Sequence, residues 1–280
     1  MTRPFDFDRE TGVTRLDDGR FQAQLDTSWW VHRGPNGGYL AALALRALAE
    51  TVADPDRAPR SHTVHYTSPP GEGALEIETV VERSGRSLTT CSGRLTQGGK
   101  LVGLALGAFS RARPGTELND LVMPAATPPD ELEDDVVPEM APQIASRWQH
   151  RWAIGPPPFS PSRARSEEAR GGGWLRLPEG HVVDAVVAAA ITDAAVPAIF
   201  TRLDEPILVP TVDLTIHFRT ALPLENARDD DWVLAVFRTG AVADGFLEED
   251  GELWSADGRL LAQSRQLAAV FPLPEPLTPS

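Results

Sequence analysis

The feature that most constrains the fold of this 280-residue chain is an internal repeat. Residues 63–68 read TVHYTS and residues 215–220 read TIHFRT. Each hexapeptide follows a long apolar run of helical character, which begins at Gly37 in the first half and at Val182 in the second. Strand-like runs separated by glycine-containing turns come after each hexapeptide. A series that matches in the same order predicts two copies of one structural unit.

The order of elements predicts the α+β class, because a long helix precedes an antiparallel sheet without βαβ alternation. The second helix is apolar on almost every side, so a curved sheet must enclose it. Two such units would pack as a pseudo-dimer with a cleft between them. We predict units at residues 1–110 and 166–280, joined by a connector at 111–165 that is rich in Pro and acid. In this connector, Trp148 and Trp152 are expected to hold a short helix against the body.

Charge and composition exclude several classes of function. The chain has 40 acidic and 26 basic residues and a net charge of −14, which argues against binding of nucleic acid. Cys91 is the single cysteine and the six histidines are scattered, so we expect no metal site and no cofactor. The N-terminus lacks an apolar signal core and no run reaches transmembrane length. We therefore expect a soluble, cytoplasmic protein without membrane contacts.

Asp193 is the one carboxylate in the apolar run AAAITDAAVPAIF, residues 188–200. A buried, ionised acid costs several kcal/mol unless it is paired or hydrogen-bonded. Asp184, nine residues earlier, lies at the helix start, where the dipole favours an acid. Pro197 predicts a kink near Asp193 that turns the carboxylate toward the cleft. The residues alone leave two interpretations open, a functional acid or an exposed acid at a frayed helix end.

Gln266 lies on the inward face of the last predicted strand, since its neighbours at period two are mostly apolar. An inward amide needs hydrogen-bond partners, and a purely structural amide fits the pattern as well. When the two halves are aligned, Leu45 is the position equivalent to Asp193, and Gly107 is the position equivalent to Gln266. The second half thus has polar groups where the first has apolar or small ones. This difference indicates that one copy retained residues for catalysis and the other retained only residues that pack the core.

The sequence PNGG at residues 35–38 precedes the first helix. Asn36 is expected to cap that helix. The glycines Gly37 and Gly38 let backbone N–H groups approach a ligand closely at a positive helix end. The segment can therefore be an ordinary capped turn, a site for a substrate oxygen, or both.

Several segments together resemble the acyl-CoA thioesterase II (TesB-like) family, namely HRGPNGGYLAALALRA, VDLTIHFR, DDDWVL and DGRLLAQSRQ. The resemblance extends from about Thr27 to Phe271. It implies a double hot-dog fold and hydrolysis of the thioester of acyl-CoA. It also implies that a triad of Asp193, Thr211 and Gln266 holds the attacking water. Members of the family often have a His where this chain has Leu214.

A mechanism follows from that resemblance. Asp193 would act as general base on a water oriented by Thr211 and Gln266, while Asn36, Gly37 and Gly38 would bind the thioester oxygen as negative charge develops on it. Donors to Asp193 are expected to outweigh the effect of burial on its pKa and to keep it ionised near neutral pH. The chain has no G-x-S-x-G motif, which argues against an α/β-hydrolase.

Two other functions remain open from the sequence. A hot-dog hydratase or dehydratase would pair an Asp with a catalytic His, and His217 is the candidate, since alternation places it on the strand face of Thr211 and Asp213. A non-catalytic acyl-CoA binding protein would bind the substrate without turnover. A homodimer of double hot-dogs is one assembly that the pattern allows.

Overall fold

The structure is a computed structural model that describes residues 6–31, 34–139, 141–158, 165–203, 205 and 207–273. The helices are α1 (Phe7–Glu10), α2 (Gly37–Val52) and α3 (Ala185–Ile191), and 3-10 turns lie at Thr27–Trp29, Pro129–Glu131, Gln143–Arg147 and Ala198–Thr201. The first-half strands are β1 (Thr14–Asp17), β2 (Arg20–Leu25), β3 (Ala58–Tyr66), β4 (Gly73–Ser84), β5 (Leu88–Gln97) and β6 (Lys100–Ser110). The later strands are β7 (Gln149–Ile154), β8 (Ala169–Arg176), β9 (Ile207–Leu208), β10 (Thr211–Phe218), β11 (Val233–Thr239), β12 (Val242–Ala243), β13 (Phe246–Ser255), β14 (Leu260–Ala269) and β15 (Phe271–Pro272).

A 13-stranded sheet runs through the molecule in the order β1-β2-β4-β5-β6-β3-β10-β14-β13-β11-β8-β7, with β12 paired to β13. Its strand pairs are antiparallel. The order is symmetric about the β3–β10 pair, because β6, β5, β4 and β2 follow on one side as β14, β13, β11 and β8 follow on the other. Strands β9 and β15 form a separate ribbon.

The two repeated hexapeptides meet at the centre of this sheet. Thr63, the first residue of one, pairs with Thr215, the first residue of the other, and their hydroxyls are 3.0 Å apart. On either side of this pair, His65 pairs with Asp213 and Ser61 with His217, so equivalent positions exchange across the pair. This register is that of an approximate twofold axis. It confirms the predicted pair of units and the double hot-dog, two antiparallel half-sheets that each hold a helix.

Helices α2 and α3 both begin at a capping side chain and are enclosed by the sheet. Asn36 accepts a hydrogen bond from the N–H of Tyr39, and Asp184 accepts from the N–H groups of Val186 and Val187. Almost all residues of α2 up to Leu48 and nearly all of α3 are buried, as the all-round apolar sequence predicts. Among the described residues, no helix has both the length and the apolarity to cross a membrane.

Helix α3 ends at Ile191 rather than continuing to a kink at Pro197, so the predicted kinked helix is wrong. In a continuous helix the carbonyl of Asp193 would accept from the N–H of residue 197, and proline has none. That carbonyl instead accepts from the side-chain Nδ2 of Asn36 in the other unit, at 2.6 Å. The chain therefore leaves the helix just before Asp193 and places this residue against α2.

The connector contributes to the second unit, contrary to the expectation that all of residues 111–165 lie outside both. Strand β7 pairs with β8 at the edge of the sheet. The short helix expected around the two tryptophans is also wrong. Trp148 follows a 3-10 turn and packs edge-on against Trp29, with ring centroids 6.0 Å apart, whereas Trp152 lies within β7.

The junction between the helices yields a stability prediction. A Cβ atom added to Gly38 would lie 2.5 Å from the carbonyl oxygen of Ala190, which is backbone and cannot rotate away. We expect Gly38→Ala to lower the free energy of unfolding by about 1–3 kcal/mol, the usual cost of overpacking. Urea denaturation measures this change. Gly115→Ala is the control, because a Cβ there meets no atom within 4 Å. Equal stability of the two variants would show that α2 and α3 do not approach so closely.

Candidate active site

Asp193 lies where the two units meet, just after α3 and against the first turn of α2. Its Oδ2 accepts from Nδ2 of Asn36 at 2.9 Å and from the N–H of Gly38 at 3.2 Å. A carboxylate at a helix N-terminus is stabilised by the unpaired N–H groups and by the helix dipole. The acid is therefore unfavourably placed at the end of its own helix but favourably placed at the start of the helix of the other unit.

The two glycines of the PNGG segment are explained by the closeness of this contact. A Cβ at Gly37 would lie 2.9 Å from Oδ2 of Asp193 and 3.3 Å from the ring of Tyr66. At Gly38 it would lie 3.1 Å from Cβ of Asp193. Side chains at these positions would push the carboxylate away, so glycine is required for Asp193 to approach the helix.

Gln266 lies on the inward face of β14, as the period-two pattern predicts, and is 5% exposed. The hydroxyl of Thr211 donates to its Oε1 at 2.9 Å. Its Nε2 donates to Oε1 of Glu249 at 2.8 Å, and its side chain lies close enough to Asp193 to lower the pKa of that carboxyl. The structure thus brings together Asp193, Thr211 and Gln266 with Asn36, while the catalytic role of these residues stays a prediction.

Thr211 reaches Gln266 because of an irregularity that counting residues does not show. The pairing of β10 with β14 shifts between Thr211, which faces Ala268, and Asp213, which faces Leu267. One extra residue in β10 forms a bulge there. The prediction that Thr211 shares a strand face with Asp213 is therefore wrong, since the bulge turns Thr211 to the inward face.

The carboxyl of Asp193 titrates higher than an exposed aspartate. Burial raises its pKa to about 6, while hydrogen bonds from the backbone of Gly38 and Gly37 and from the side chains of Asn36 and Gln266 act in the opposite direction. The expectation that the donors outweigh burial is wrong, because the carboxylate loses most of its hydration at the junction. With a pKa near 6 the group is still mainly ionised at neutral pH, as a general base must be.

Two residues of the site were missed in the sequence. Glu249, on the inward face of β13, is 3% exposed and pairs across the sheet with Gln266. Tyr66 donates its hydroxyl to the carbonyl of Gly37 at 2.6 Å. Burial raises the pKa of Tyr66 well above its ordinary value, and the charges of Asp193 and Asp213 raise it further, so the phenol is neutral. The alternation of β13 was the available signal for Glu249.

His217 does not pair with Asp193. It is exposed and lies opposite Gln263, on the outward face of β10, whereas Gln266 and the buried Leu214 face each other on the inward side. An Asp–His pair of the kind that a hot-dog hydratase uses is therefore not formed by this histidine. In the described part of the chain, no three His, Cys, Asp or Glu side chains are grouped as a metal site.

An open cavity of about 360 Å³ lies on the second unit close to these residues. Ile199, Leu203 and Val242 form part of its wall, and Thr239 connects it to the site, since the hydroxyl of Thr239 lies 3.5 Å from Oε2 of Glu249. The wall is mainly apolar, which suits an aliphatic group.

Comparison with known proteins matches two successive segments of the chain to two domain models of one family. Residues 26–110 match the family model of the acyl-CoA thioesterase N-terminal domain, and residues 123–270 match that of the acyl-CoA thioesterase C-terminal domain. An uncharacterised protein of Mycobacterium tuberculosis is 26% identical over 294 residues, which cover 96% of this chain and 95% of that protein.

Two solved structures are similar over nearly the whole chain. A hot-dog protein of unknown function from Alicyclobacillus acidocaldarius is 27% identical, with a TM-score of 0.84 over 95% of this chain and 97% of that one. An acyl-CoA thioesterase II, TesB2, from Mycobacterium marinum has the same fold, with 20% identity and a TM-score of 0.76 over 96% and 99% of the chains. Since both halves match the corresponding domain models, and the C-terminal match alone covers more than half of the chain, this protein belongs to the acyl-CoA thioesterase family.

Proposed function

We propose that this protein hydrolyses acyl-CoA to the free acid and CoA, with Asp193 as the general base. The observation that carries the proposal is the junction itself, where Asp193, Thr211 and Gln266 come together beside the first turn of α2. Membership of the acyl-CoA thioesterase family supports the class of substrate.

The chemistry balances with one water and no covalent intermediate. Asp193 takes a proton from the water as its oxygen attacks the thioester carbonyl carbon. The tetrahedral intermediate then expels the CoA thiolate, which takes the proton from Asp193 and so regenerates the base. Thr211 and Gln266 hold the water within reach of the carboxylate, and their contribution is orientation rather than basicity.

The first turn of α2 has two functions in this proposal. Asn36 and Gly38 hold the carboxylate through the hydrogen bonds described above. The same N–H groups, with that of Gly37, would stabilise negative charge on the thioester oxygen during attack. The bond from Gly38 to Asp193 is long, at 3.2 Å, so the incoming oxygen can compete for this donor.

Asp193→Asn tests the base directly. The change keeps the shape of the side chain and removes its basicity, so kcat for release of free CoA should fall by about 10²-fold or more. The melting temperature should hold or rise above pH 6, because the raised pKa means that the ionised form is disfavoured in the folded state. Asp120→Asn, in the exposed connector, is the control. If a stably folded Asp193→Asn protein turned over at the unmodified protein's rate, Asp193 would be excluded as the base. If the unmodified protein bound acyl-CoA without releasing CoA, the non-catalytic binding function would be indicated instead.

The pH profile tests the ionisation of Asp193. Since the pKa is raised to about 6, the base is lost as the pH falls through that value and is fully present above it. We expect kcat, measured at saturating acyl-CoA, to increase with pH through about 6. The residual activity of Asp193→Asn should lack this step. A profile that stays flat down to pH 4.5 would contradict a role for this carboxylate as base.

Gln266→Ala tests the orientation of the water. The carboxylate remains, so the loss in kcat should be smaller than for Asp193→Asn, about 10-fold to 10²-fold, with KM little changed. Steady-state kinetics separate the two parameters. Gln263→Ala is a matched control on the same strand, because its side chain lies on the outward face with Arg219. Unchanged kcat in Gln266→Ala would show that this amide does not hold the water.

A further inference from the structure

Glu249 is a buried carboxylate for which the mechanism above has no role. It lies on the inward face of β13, while its neighbours in the sequence, Glu248 and Asp250, lie on the other face. A carboxylate with 3% exposure is costly to bury and requires hydrogen-bond donors. The groups that face it come from three elements: the N–H of Ala198 from the 3-10 turn, the hydroxyl of Thr239 from β11 and Nε2 of Gln266 from β14.

The contacts of Glu249 determine the orientation of the Gln266 side-chain amide, that is, whether Nε2 or Oε1 faces Glu249. An ionised carboxylate only accepts hydrogen bonds, so the side of the amide that faces Glu249 must be Nε2. The opposite end, Oε1, accepts from the hydroxyl of Thr211. With both ends fixed, the second proton of Nε2 is available for Asp193. A reversed amide would turn its carbonyl oxygen toward the Asp193 carboxylate, which is repulsive.

The duplication of the fold connects Glu249 to the same site independently. Across the paired strands of the second unit, Glu249 faces Gln266, and at the corresponding place in the first unit Cys91 faces Gly107. Counted from the caps Asn36 and Asp184, the residue equivalent to Asp193 is Leu45. The first unit therefore has Leu, Cys and Gly, all apolar or small, where the second has Asp, Glu and Gln. The three polar residues occur together in one unit, as expected of a single functional set.

We propose that Glu249 is a positioning residue for the thioester hydrolysis proposed above: it fixes the amide of Gln266 so that Nε2 faces Asp193 and Oε1 faces Thr211. Glu249 itself does not touch the reacting atoms. It acts through Gln266, and the inference rests on the proposed function for its effect on turnover.

The charge of Glu249 adds a dependence on pH. Burial raises its pKa to about 7, and the nearby charge of Asp193 raises it further, while the donors Ala198, Gln266 and Thr239 lower it. When Glu249 takes up a proton it becomes a donor as well as an acceptor and no longer enforces the orientation of the amide. As the pH falls, kcat should therefore decrease in two steps, by about 10-fold to 10²-fold as Glu249 takes up a proton near pH 7 and further as Asp193 does so near pH 6.

Glu249→Gln is the first test. The new carboxamide must offer its oxygen to the N–H of Ala198, which turns its NH₂ group toward Gln266 and favours the reversed amide. We expect kcat to fall by about 10-fold to 10²-fold with KM within about threefold, and the step near pH 7 to disappear from the pH profile of kcat. Asp250→Asn is the matched control, because it removes a carboxylate at the next position from an exposed ion pair with Arg265. Unchanged kcat and an unchanged pH profile in Glu249→Gln would overturn the proposal.

A double-mutant cycle distinguishes positioning from a separate structural effect. If Glu249 acts through Gln266, then Glu249→Gln in the Gln266→Ala background should lower kcat by less than twofold beyond Gln266→Ala alone. Additive losses would contradict the proposal, because they would mean that Glu249 acts by a route that does not include Gln266.

A measurement on the wild-type protein needs neither turnover nor a variant of Glu249 that folds. The side-chain NH₂ signals of Gln266, assigned by their loss in Gln266→Ala, should shift in two steps as the pH passes about 7 and about 6. In Glu249→Gln, where that variant folds, the step near 7 should disappear. If the wild type released no CoA but showed both steps, the proposed function would fail while the contact of Glu249 with Gln266 held. Absence of the step near 7 in the wild type would overturn the role of Glu249.

Discussion

The contact between Asp193 and the first turn of α2 is the interaction on which the rest of the site depends. It joins the two units, since the carboxylate comes from one and its donors, Asn36 and Gly38, come from the other. Three local features of the sequence make it possible. The glycines leave room for the carboxylate, Pro197 frees the carbonyl of Asp193 for Asn36, and the end of α3 at Ile191 releases the residue from its helix. Each has a physical reason in the geometry of helix ends.

The two repeated units form the scaffold of the protein, and the residues that differ between the two units form the proposed active site. The pairing of Thr63 with Thr215 continues one sheet across both units and fixes how the helices approach each other. Within this symmetric frame, Asp193, Glu249 and Gln266 occur only in the second unit, while apolar or small residues occupy the equivalent positions of the first. Burying two carboxylates in one unit costs stability, and Leu45, Cys91 and Gly107 at the equivalent positions of the other unit carry no such cost. The raised pKa values of Asp193 and Glu249 are the measurable consequence of that burial.

Sequence reasoning reached the fold because the repeat and the apolar helices are patterns of many residues, which a single irregularity does not hide. The pair of units, the Asn36 cap and the inward face of Gln266 were all predictable in this way, and the resemblance to a known family supplied the double hot-dog. The position of Thr211 was not, because an extra residue in β10 shifts the alternation without leaving a sign in the sequence. The direction of the Asp193 pKa was wrong because the degree of burial at a junction of two units depends on tertiary packing.

Glu249 shows a different limit of sequence reasoning. It is the middle residue of three consecutive acids, Glu248 to Asp250, and such a run is usually solvated. Alternation along β13 places the middle acid inward with Leu247 and Gly251, so the signal was present but was outweighed by the charge of the run.

The central claim is that Asp193 activates a water rather than attacking the thioester itself. A single turnover in water enriched in ¹⁸O, followed by mass spectrometry of the acid and of the peptide that contains Asp193, tests this most directly. Attack by water predicts one ¹⁸O atom in the released acid and none in the peptide. Attack by the carboxylate would instead form an anhydride between Asp193 and the acyl group. Water that hydrolyses this anhydride at the Asp193 carbonyl carbon would leave ¹⁸O in the Asp193 side chain, and that result would contradict the account.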